Sequence, residues 1–179
     1  MNQLKLFSFS RDQKVGFMGE RHVYEQLQDR GYVPQVDPDF QRQGFDMVIK
    51  PTEPGQRPIP VEVKFAYPTR RGMPYINRAG HKVWYTRWQW KVHETSHKQH
   101  EWVLVLVAED EDGERHHFII PGGAVGDRTH LKITSHPRKY NGWMKQWLER
   151  WELITYLQNG VYRDGGPLFH KWVSEVIAA

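Results

Sequence analysis

A continuous apolar run near the middle of the chain constrains the fold most. Residues 102–108 read WVLVLVA, between Glu101 on one side and Glu109 and Asp110 on the other. An apolar run of this length without polar alternation is typical of a strand that is covered on both faces. For a chain of 179 residues, we therefore expect one α/β domain in which helices cover a central sheet.

The remaining segments predict the neighbours of this strand. Apolar residues recur at helical intervals over residues 14–32, and Gly31 stands where a helix would end. Strands are predicted at 32–36, 44–51, 59–67, 101–110 and 115–123, a loop at 70–82, and further helices at 83–100, 142–160 and 167–179. The order α-β-β-β-α-β-β-α-α predicts a mixed sheet flanked by helices, with a core over about 14–121 and a C-terminal helical extension over about 142–179.

Composition excludes several classes of protein. The chain has no cysteine, which rules out disulfides, thiolate zinc sites and cysteine nucleophiles. The N-terminal residues MNQLKLFSFSRDQK lack the apolar core of a signal peptide, and no stretch approaches a membrane span in length. We therefore expect a cytoplasmic protein.

Positive charge is concentrated in one segment. Residues 64–98 contain eight Lys or Arg and one acid, a net charge of +7, which leaves −3 for the rest of a chain whose total is +4. Such a concentration indicates a polyanionic partner, although a solvated basic loop has the same composition. The candidates for phosphate contacts are Arg70, Arg71, Arg78, Lys82, Arg87 and Lys91.

Three acids and a lysine occupy related positions. Glu62 and Lys64 are two residues apart in the VEVK sequence, which places both side chains on one face of a strand. Asp46 lies in the preceding predicted strand, so a hairpin would bring it beside Glu62, and Glu20 lies in the first helix. Adjacent carboxylates suit Mg²⁺ or Mn²⁺, and such an ion with a neighbouring lysine can promote hydrolysis of a phosphodiester.

These residues resemble the PD-(D/E)XK nuclease superfamily, whose core is α-β-β-β-α-β. The first helix carries Gly16, Glu20 and Arg21 in the Gly-x-x-x-Glu-Arg pattern of archaeal-type Holliday junction resolvases, which also have strands similar to FDMVI and VEVK. The likeness covers about residues 14–66. It departs at Phe45, where the superfamily has Pro, and throughout the Arg- and Trp-rich sequence after Lys64.

The resemblance implies a role for each residue. Asp46, Glu62 and the main-chain carbonyl of Val63 would hold Mg²⁺, or Mn²⁺ as a substitute. Lys64 would be the catalytic lysine, and Glu20 an additional ligand or an acid behind the ligands. Arg21 joins the candidates for nucleic-acid binding. The simpler interpretation of Glu62 and Lys64, an exposed ion pair on an ordinary strand, does not explain why Asp46 and Glu20 accompany them.

The histidines and tryptophans of the predicted helix over 83–100 each have a structural interpretation as well as a functional one. His93, His97 and His100 would share a helical face and could hold a metal. Three histidines on a solvent-exposed helix face usually bind no metal, however. Trp84 and Trp88 would share another face, where core packing is favoured over stacking on bases.

The function that follows is a Mg²⁺-dependent endonuclease acting on DNA, either on branched recombination or repair intermediates or on duplex as a restriction enzyme does. A homodimer is favoured because symmetric cuts in two strands need two sites. The alternatives are a non-catalytic nucleic-acid-binding protein on the same fold and an RNA-directed nuclease.

Overall fold

The computed structural model describes residues 11–76, 78–92 and 101–160, without the side chains at 11, 12, 70–75 and 83–85. The described helices are α1 (Arg11–Asp29), α2 (Pro38–Arg42), α3 (Gly122–Val125) and α4 (Leu153–Gln158), with 3₁₀ turns at Pro137–Lys139 and Trp143–Trp147. The strands are β1 (Val33–Gln35), β2 (Met47–Lys50), β3 (Ile59–Ala66), β4 (Thr69–Ile76), β5 (Lys82–Lys91), β6 (Val103–Glu109), β7 (Arg115–Pro121) and β8 (His130–Ile133).

The main sheet has five strands in the order β1-β2-β3-β6-β7. β3 and β6 run parallel, and the other neighbours are antiparallel. Residues 103–108 of β6 have no exposed surface, so this strand is covered on both faces as its apolar run predicts. The predicted mixed α/β fold is thereby confirmed, with β6 inside the sheet and β3 beside it.

Helix α1 packs closely against β3. Val23 and Leu27, one turn apart, are fully buried, and the helix ends before Gly31, whose φ of 81° favours glycine. A Cβ atom on Gly19 would lie 2.8 Å from the Cβ of Phe65 in β3, so the close approach of helix to strand requires glycine there. This contact brings the next residue, Glu20, beside the sheet.

The predicted helix over 83–100 is wrong where the structure describes it. Residues 82–91 form strand β5, which pairs with β4 and β8 in a second sheet of three strands. Trp88 and Trp90 are each 2% exposed, and their indole N–H groups donate to the carbonyls of Glu109 and Val107. Because alternate residues of β5 bury large aromatic rings against β6, packing at a period of two prevails over the four-residue spacing of Trp84 and Trp88.

Two further predictions need correction. The loop predicted over 70–82 is largely strand β4 and the start of β5, joined in an antiparallel hairpin with an irregularity between Arg71 and Tyr75. The helix predicted over 142–160 is divided into the 3₁₀ turn at Trp143–Trp147 and the short helix α4. Glu149, between them, has a φ of 56°, which interrupts any continuous helix. The predicted helix over 167–179 lies outside the described residues, and none of the described helices is long and apolar enough to cross a membrane.

Candidate active site

Asp46 lies at the start of the β2–β3 hairpin. Its backbone N–H donates to the carbonyl of Val61 at 2.9 Å, and its carboxylate accepts the backbone N–H of Val63 at 2.6 Å. Met47 pairs with Val61, and Asp46 immediately precedes this pair, where the regular register of the hairpin ends. Its bond with the Val63 N–H holds the Asp46 carboxylate against the residue that follows Glu62 in β3.

Glu62 and Lys64 form an ion pair in the interior. The Nζ atom of Lys64 lies 2.8 Å from Oε1 of Glu62, with the lysine side chain 26% exposed and the glutamate side chain 1% exposed. A buried carboxylate is costly without a countercharge, and Lys64 supplies one. An exposed ion pair on an ordinary strand is therefore not what these residues form, because Glu62 faces the protein interior while Lys64 reaches from it toward solvent.

The pKa of Glu20 is affected by the charges of Asp46 and Lys64. Burial raises the pKa of its carboxyl group above the ordinary value, the negative charge of Asp46 raises it further, and Lys64 acts in the opposite direction. Glu20 is thus within electrostatic range of both Asp46 and Lys64. The helix and the hairpin together place all four predicted catalytic residues around one region of the sheet.

The three carboxylates do not converge as a set of three metal ligands. Within the described ranges, three potential ligand atoms all within 4.8 Å of one another occur at Asp110, His116 and His136 and not at Glu20, Asp46 and Glu62. Two carboxylates are nevertheless enough for Mg²⁺, which usually retains several waters and binds through one or two protein carboxylates. The oxygen donors of Asp46 and Glu62 are therefore of the type and number that such an ion accepts.

A chain of hydrogen-bonded polar side chains extends from His22 in α1 to β7. The Nε2 atoms of His22 and His117 are 2.9 Å apart, and the carboxylate of Glu149 accepts from the backbone N–H of His117 at 2.7 Å. Burial lowers the pKa of His22 to about 4, and His117 lowers it in the same direction. The pKa of Glu149 is lowered because hydrogen bonds with His117 and Trp151 outweigh its burial. This chain secures α1 to β7, two residues from Glu20.

The predicted nucleic-acid contacts are distributed over several elements. Arg78, Lys82 and Lys91 are exposed, Arg87 is partly buried, and Arg21 on α1 is exposed but paired with Glu25 at 2.9 Å. Arg70 and Arg71 belong to β4, and their side chains lie outside the described part. The side chain of Trp84 and the whole of His93, His97 and His100 also lie outside it, so the metal and stacking hypotheses for them stay hypotheses. Trp88 is a core residue, as favoured.

The second sheet shows a surface that the sequence analysis missed. In β5 and β8, Gln89 pairs with Lys132 and Lys91 with His130, and all four side chains are exposed. The opposite face of the same strands carries Trp88, Trp90, Leu131 and Ile133, which are buried. We call Arg87, Gln89, Lys91, His130 and Lys132 the basic face. Alternation of polar and apolar residues in HLKI at 130–133 is the signal that would have predicted strand β8.

Comparisons with known proteins give a structural relative. No protein-family model and no curated protein matches the chain. Among solved structures, the bacterial homing endonuclease I-Ssp6803I superimposes with a TM-score of 0.59 over 86% of this chain and 97% of that one, at 12% sequence identity. This protein shares its fold with a homing endonuclease. At that identity the likeness concerns architecture, and the chemistry rests on the residues described above.

Proposed function

We propose that this protein is a metal-dependent DNA endonuclease with its active site at Glu20, Asp46, Glu62 and Lys64. The proposal is supported by the contacts that both acids make at β3: the Asp46 carboxylate accepts the backbone N–H of Val63 at 2.6 Å, and the Nζ atom of Lys64 lies 2.8 Å from Oε1 of Glu62. The shared fold with a homing endonuclease supports the same conclusion.

Asp46 and Glu62 are the proposed ligands of Mg²⁺, or of Mn²⁺, together with the main-chain carbonyl of Val63. When bound, such an ion promotes the ionisation of water and stabilises negative charge on the phosphodiester. The hydrogen bond from Val63 N–H to the Asp46 carboxylate fixes this side chain against β3. Burial limits the motion of Glu62 in β3, and the bond with Val63 holds Asp46, which immediately precedes β2.

Lys64 has two tasks in this proposal. It balances the charge of Glu62 in the absence of substrate, and its partly exposed ammonium group orients the attacking water and neutralises developing charge on the phosphate. Glu20, whose pKa is raised by burial and by the charge of Asp46, acts as an additional ligand or positions the water.

The basic face is proposed to hold DNA. Arg87, Lys91 and Lys132 contribute positive charge, while Gln89 and His130 offer hydrogen-bonding groups beside them. Arg70, Arg71, Arg78 and Lys82 extend the positive charge along the β4–β5 hairpin, and Arg21 adds charge on α1. A two-stranded β-ribbon fits the major groove of B-DNA, so the β4–β5 hairpin has a suitable shape for this contact.

Cleavage of both strands requires two active sites, and a homodimer would provide them. The resemblance of the N-terminal third to junction resolvases favours branched DNA, and duplex DNA is the alternative substrate. The test is a cleavage panel of supercoiled plasmid, linear duplex, four-way junction, single-stranded DNA and RNA, each with Mg²⁺ and with EDTA.

Wild-type protein is compared in this panel with Asp46→Ala and Lys64→Ala. We expect Mg²⁺-dependent cleavage of DNA by the wild type and its loss in both variants, while binding of DNA persists. Equal cleavage by all three proteins would contradict the assigned site. Binding without cleavage by the wild type would favour a non-catalytic nucleic-acid-binding protein, and cleavage of RNA alone would replace the proposed substrate.

A further inference from the structure

A second cluster of potential metal ligands lies away from the proposed active site. Asp110 follows the end of β6, His116 lies in β7, and His136 precedes the 3₁₀ turn at Pro137–Lys139. Oδ2 of Asp110 is 3.0 Å from Nε2 of His116 and 3.2 Å from Nε2 of His136. Asp110 and His116 are buried, whereas the side chain of His136 is 38% exposed. The three ligand atoms lie within 4.8 Å of one another.

We propose that Asp110, His116 and His136 bind a divalent transition metal of the zinc class. Their separations fit such an ion, since a tetrahedral zinc site with bonds of about 2.1 Å places its ligand atoms about 3.4 Å apart. Two imidazole nitrogens and one carboxylate oxygen favour zinc, cobalt or nickel over magnesium, which prefers oxygen. The partly exposed His136 leaves room for a water or another donor at the fourth position.

Neighbouring hydrogen bonds hold the carboxylate in place for this role. The other oxygen of Asp110, Oδ1, accepts the backbone N–H groups of Asp112 and Glu114 at 3.0 and 2.9 Å. These bonds fix the Asp110 side chain within the β6–β7 turn and direct Oδ2 toward the two histidines. Outer hydrogen bonds of this kind orient ligands in metal sites and are part of their affinity.

Metal binding ends the hydrogen bonds that Nε2 of His116 and Nε2 of His136 make with Oδ2 of Asp110, and the proton of each ring moves to Nδ1. A further bond is lost at His136. Its Nδ1 accepts the backbone N–H of Arg138 at 3.3 Å, which leaves the ring proton on Nε2, facing Asp110. Coordination through Nε2 moves that proton to Nδ1 and gives up the bond with Arg138. This bond is long and lies at a partly exposed turn, so its loss is small compared with coordination of the ion.

The site is distinct from the proposed nuclease site and would have a structural task. Glu62 pairs with Leu104 along the parallel strands β3 and β6, and Asp110 is six positions further along the chain, about 20 Å at the rise of a β-strand. A metal here would join the β6–β7 turn to the segment that follows β8. It would therefore stabilise the packing of residues 130–140 without contacting the substrate phosphate.

Zinc binding by the full-length chain tests this inference. The protein is stripped with EDTA, dialysed, and titrated with Zn²⁺ by calorimetry and with Co²⁺ by visible absorption, which reports tetrahedral nitrogen and oxygen coordination. The decisive variant is His136→Gln, because this residue is partly exposed and its replacement leaves the buried pair intact. His130→Gln, an exposed histidine on β8, is the matched control. Asp46→Asn removes a ligand from the proposed nuclease site.

We expect one zinc ion to bind wild type, His130→Gln and Asp46→Asn alike, to raise the melting temperature, and to bind at least about 100-fold more weakly to His136→Gln. Equal zinc affinity in wild type and His136→Gln would overturn the proposal, as would the absence of zinc binding by the folded wild type. Circular dichroism shows whether each variant is folded. Since no DNA is present, this result does not depend on whether the protein is a nuclease.

Discussion

The Nζ atom of Lys64 lies 2.8 Å from Oε1 of Glu62, whose side chain is only 1% exposed. This is an unusual position for an acid, because most glutamates stay at the surface unless they are paired. The buried charge therefore depends on the lysine for its stability. Both residues also belong to the proposed active site, Glu62 as a metal ligand and Lys64 beside the attacking water, so the proposal links stability with catalysis.

Removal of the lysine alone should destabilise the fold. Lys64→Met leaves the Glu62 carboxylate buried without its countercharge, and we expect a loss of about 2–4 kcal/mol in the free energy of unfolding at pH 7. Urea denaturation measures this quantity. The double variant Glu62→Gln/Lys64→Met should recover most of the loss, since neither charge remains. A double variant no more stable than Lys64→Met would show that the ion pair is not the cause.

The close packing of α1 on β3 should distinguish two glycines of one helix. A Cβ at Gly19 would meet Phe65 Cβ at 2.8 Å, whereas at Gly16 the nearest atom is Glu20 Oε1 at 3.9 Å. We expect Gly16→Ala to stabilise the protein by up to about 1 kcal/mol through helix propensity. Gly19→Ala should destabilise it by about 1–2 kcal/mol, because crowding outweighs propensity. Thermal melts of both variants compare these effects, and equal stabilisation of the two would contradict the packing of α1.

Glu149 should make stability depend on pH. Its carboxylate accepts from the His117 backbone N–H at 2.7 Å and from the Trp151 indole at 3.0 Å, and its pKa is lowered in the folded state. A carboxyl group with a lowered folded pKa contributes stability above its unfolded pKa and loses it as pH falls through the folded value. Glu149→Gln should therefore be less stable than wild type by about 1 kcal/mol at pH 7, a figure reduced for partial exposure.

The difference between wild type and Glu149→Gln should shrink below about pH 4.5, near the unfolded pKa of glutamate. Urea midpoints measured from pH 3 to pH 7 test this, with the exposed Glu53→Gln as control. A difference that stays constant over this range would mean that the charge of Glu149 is not what stabilises the chain from α1 to β7.

The basic face should bind DNA mainly through charge. Lys91→Gln and Lys132→Gln each remove one exposed positive charge from paired strands of the second sheet, and affinity should fall for every DNA sequence tested. Each change should reduce the slope of log affinity against log salt concentration by about one. Fluorescence anisotropy measures both quantities. Lys139→Gln, at an exposed position in the 3₁₀ turn, should leave them unchanged, and an equal effect there would refute a localised surface.

The sequence predicted the β2–β3 hairpin well because local patterns determine it. A turn rich in Pro and Gly joins two apolar runs, and an antiparallel pairing then places Asp46 near Glu62 without knowledge of the rest of the fold. The apolar run of β6 likewise implied burial on both faces. These local patterns did not predict the burial of Glu62, because that burial depends on elements from distant parts of the sequence that cover β3.

The helix predicted over 83–100 is wrong at β5 because both a helical and a strand period fit the same residues. Trp84 and Trp88 are four apart, as in a helix, while Trp88, Trp90 and Val92 alternate with polar residues, as in a strand. The choice was made by pairing with β4 and β8 and by the packing of indole rings over β6, which are long-range contacts. The cluster of Asp110, His116 and His136 could not be predicted for the same reason, since its two histidines are 20 positions apart in the sequence.

Single-turnover cleavage of DNA with Mg²⁺ by wild type and Asp46→Asn tests the central claim most directly. The substitution keeps the size of the side chain and removes the charge proposed to hold the ion. With DNA binding and folding unchanged, we predict that Asp46→Asn cleaves at least about 100-fold more slowly, in line with the loss of a metal or acid–base function. Cleavage at the wild-type rate by Asp46→Asn would contradict the assignment of the active site to the β2–β3 hairpin.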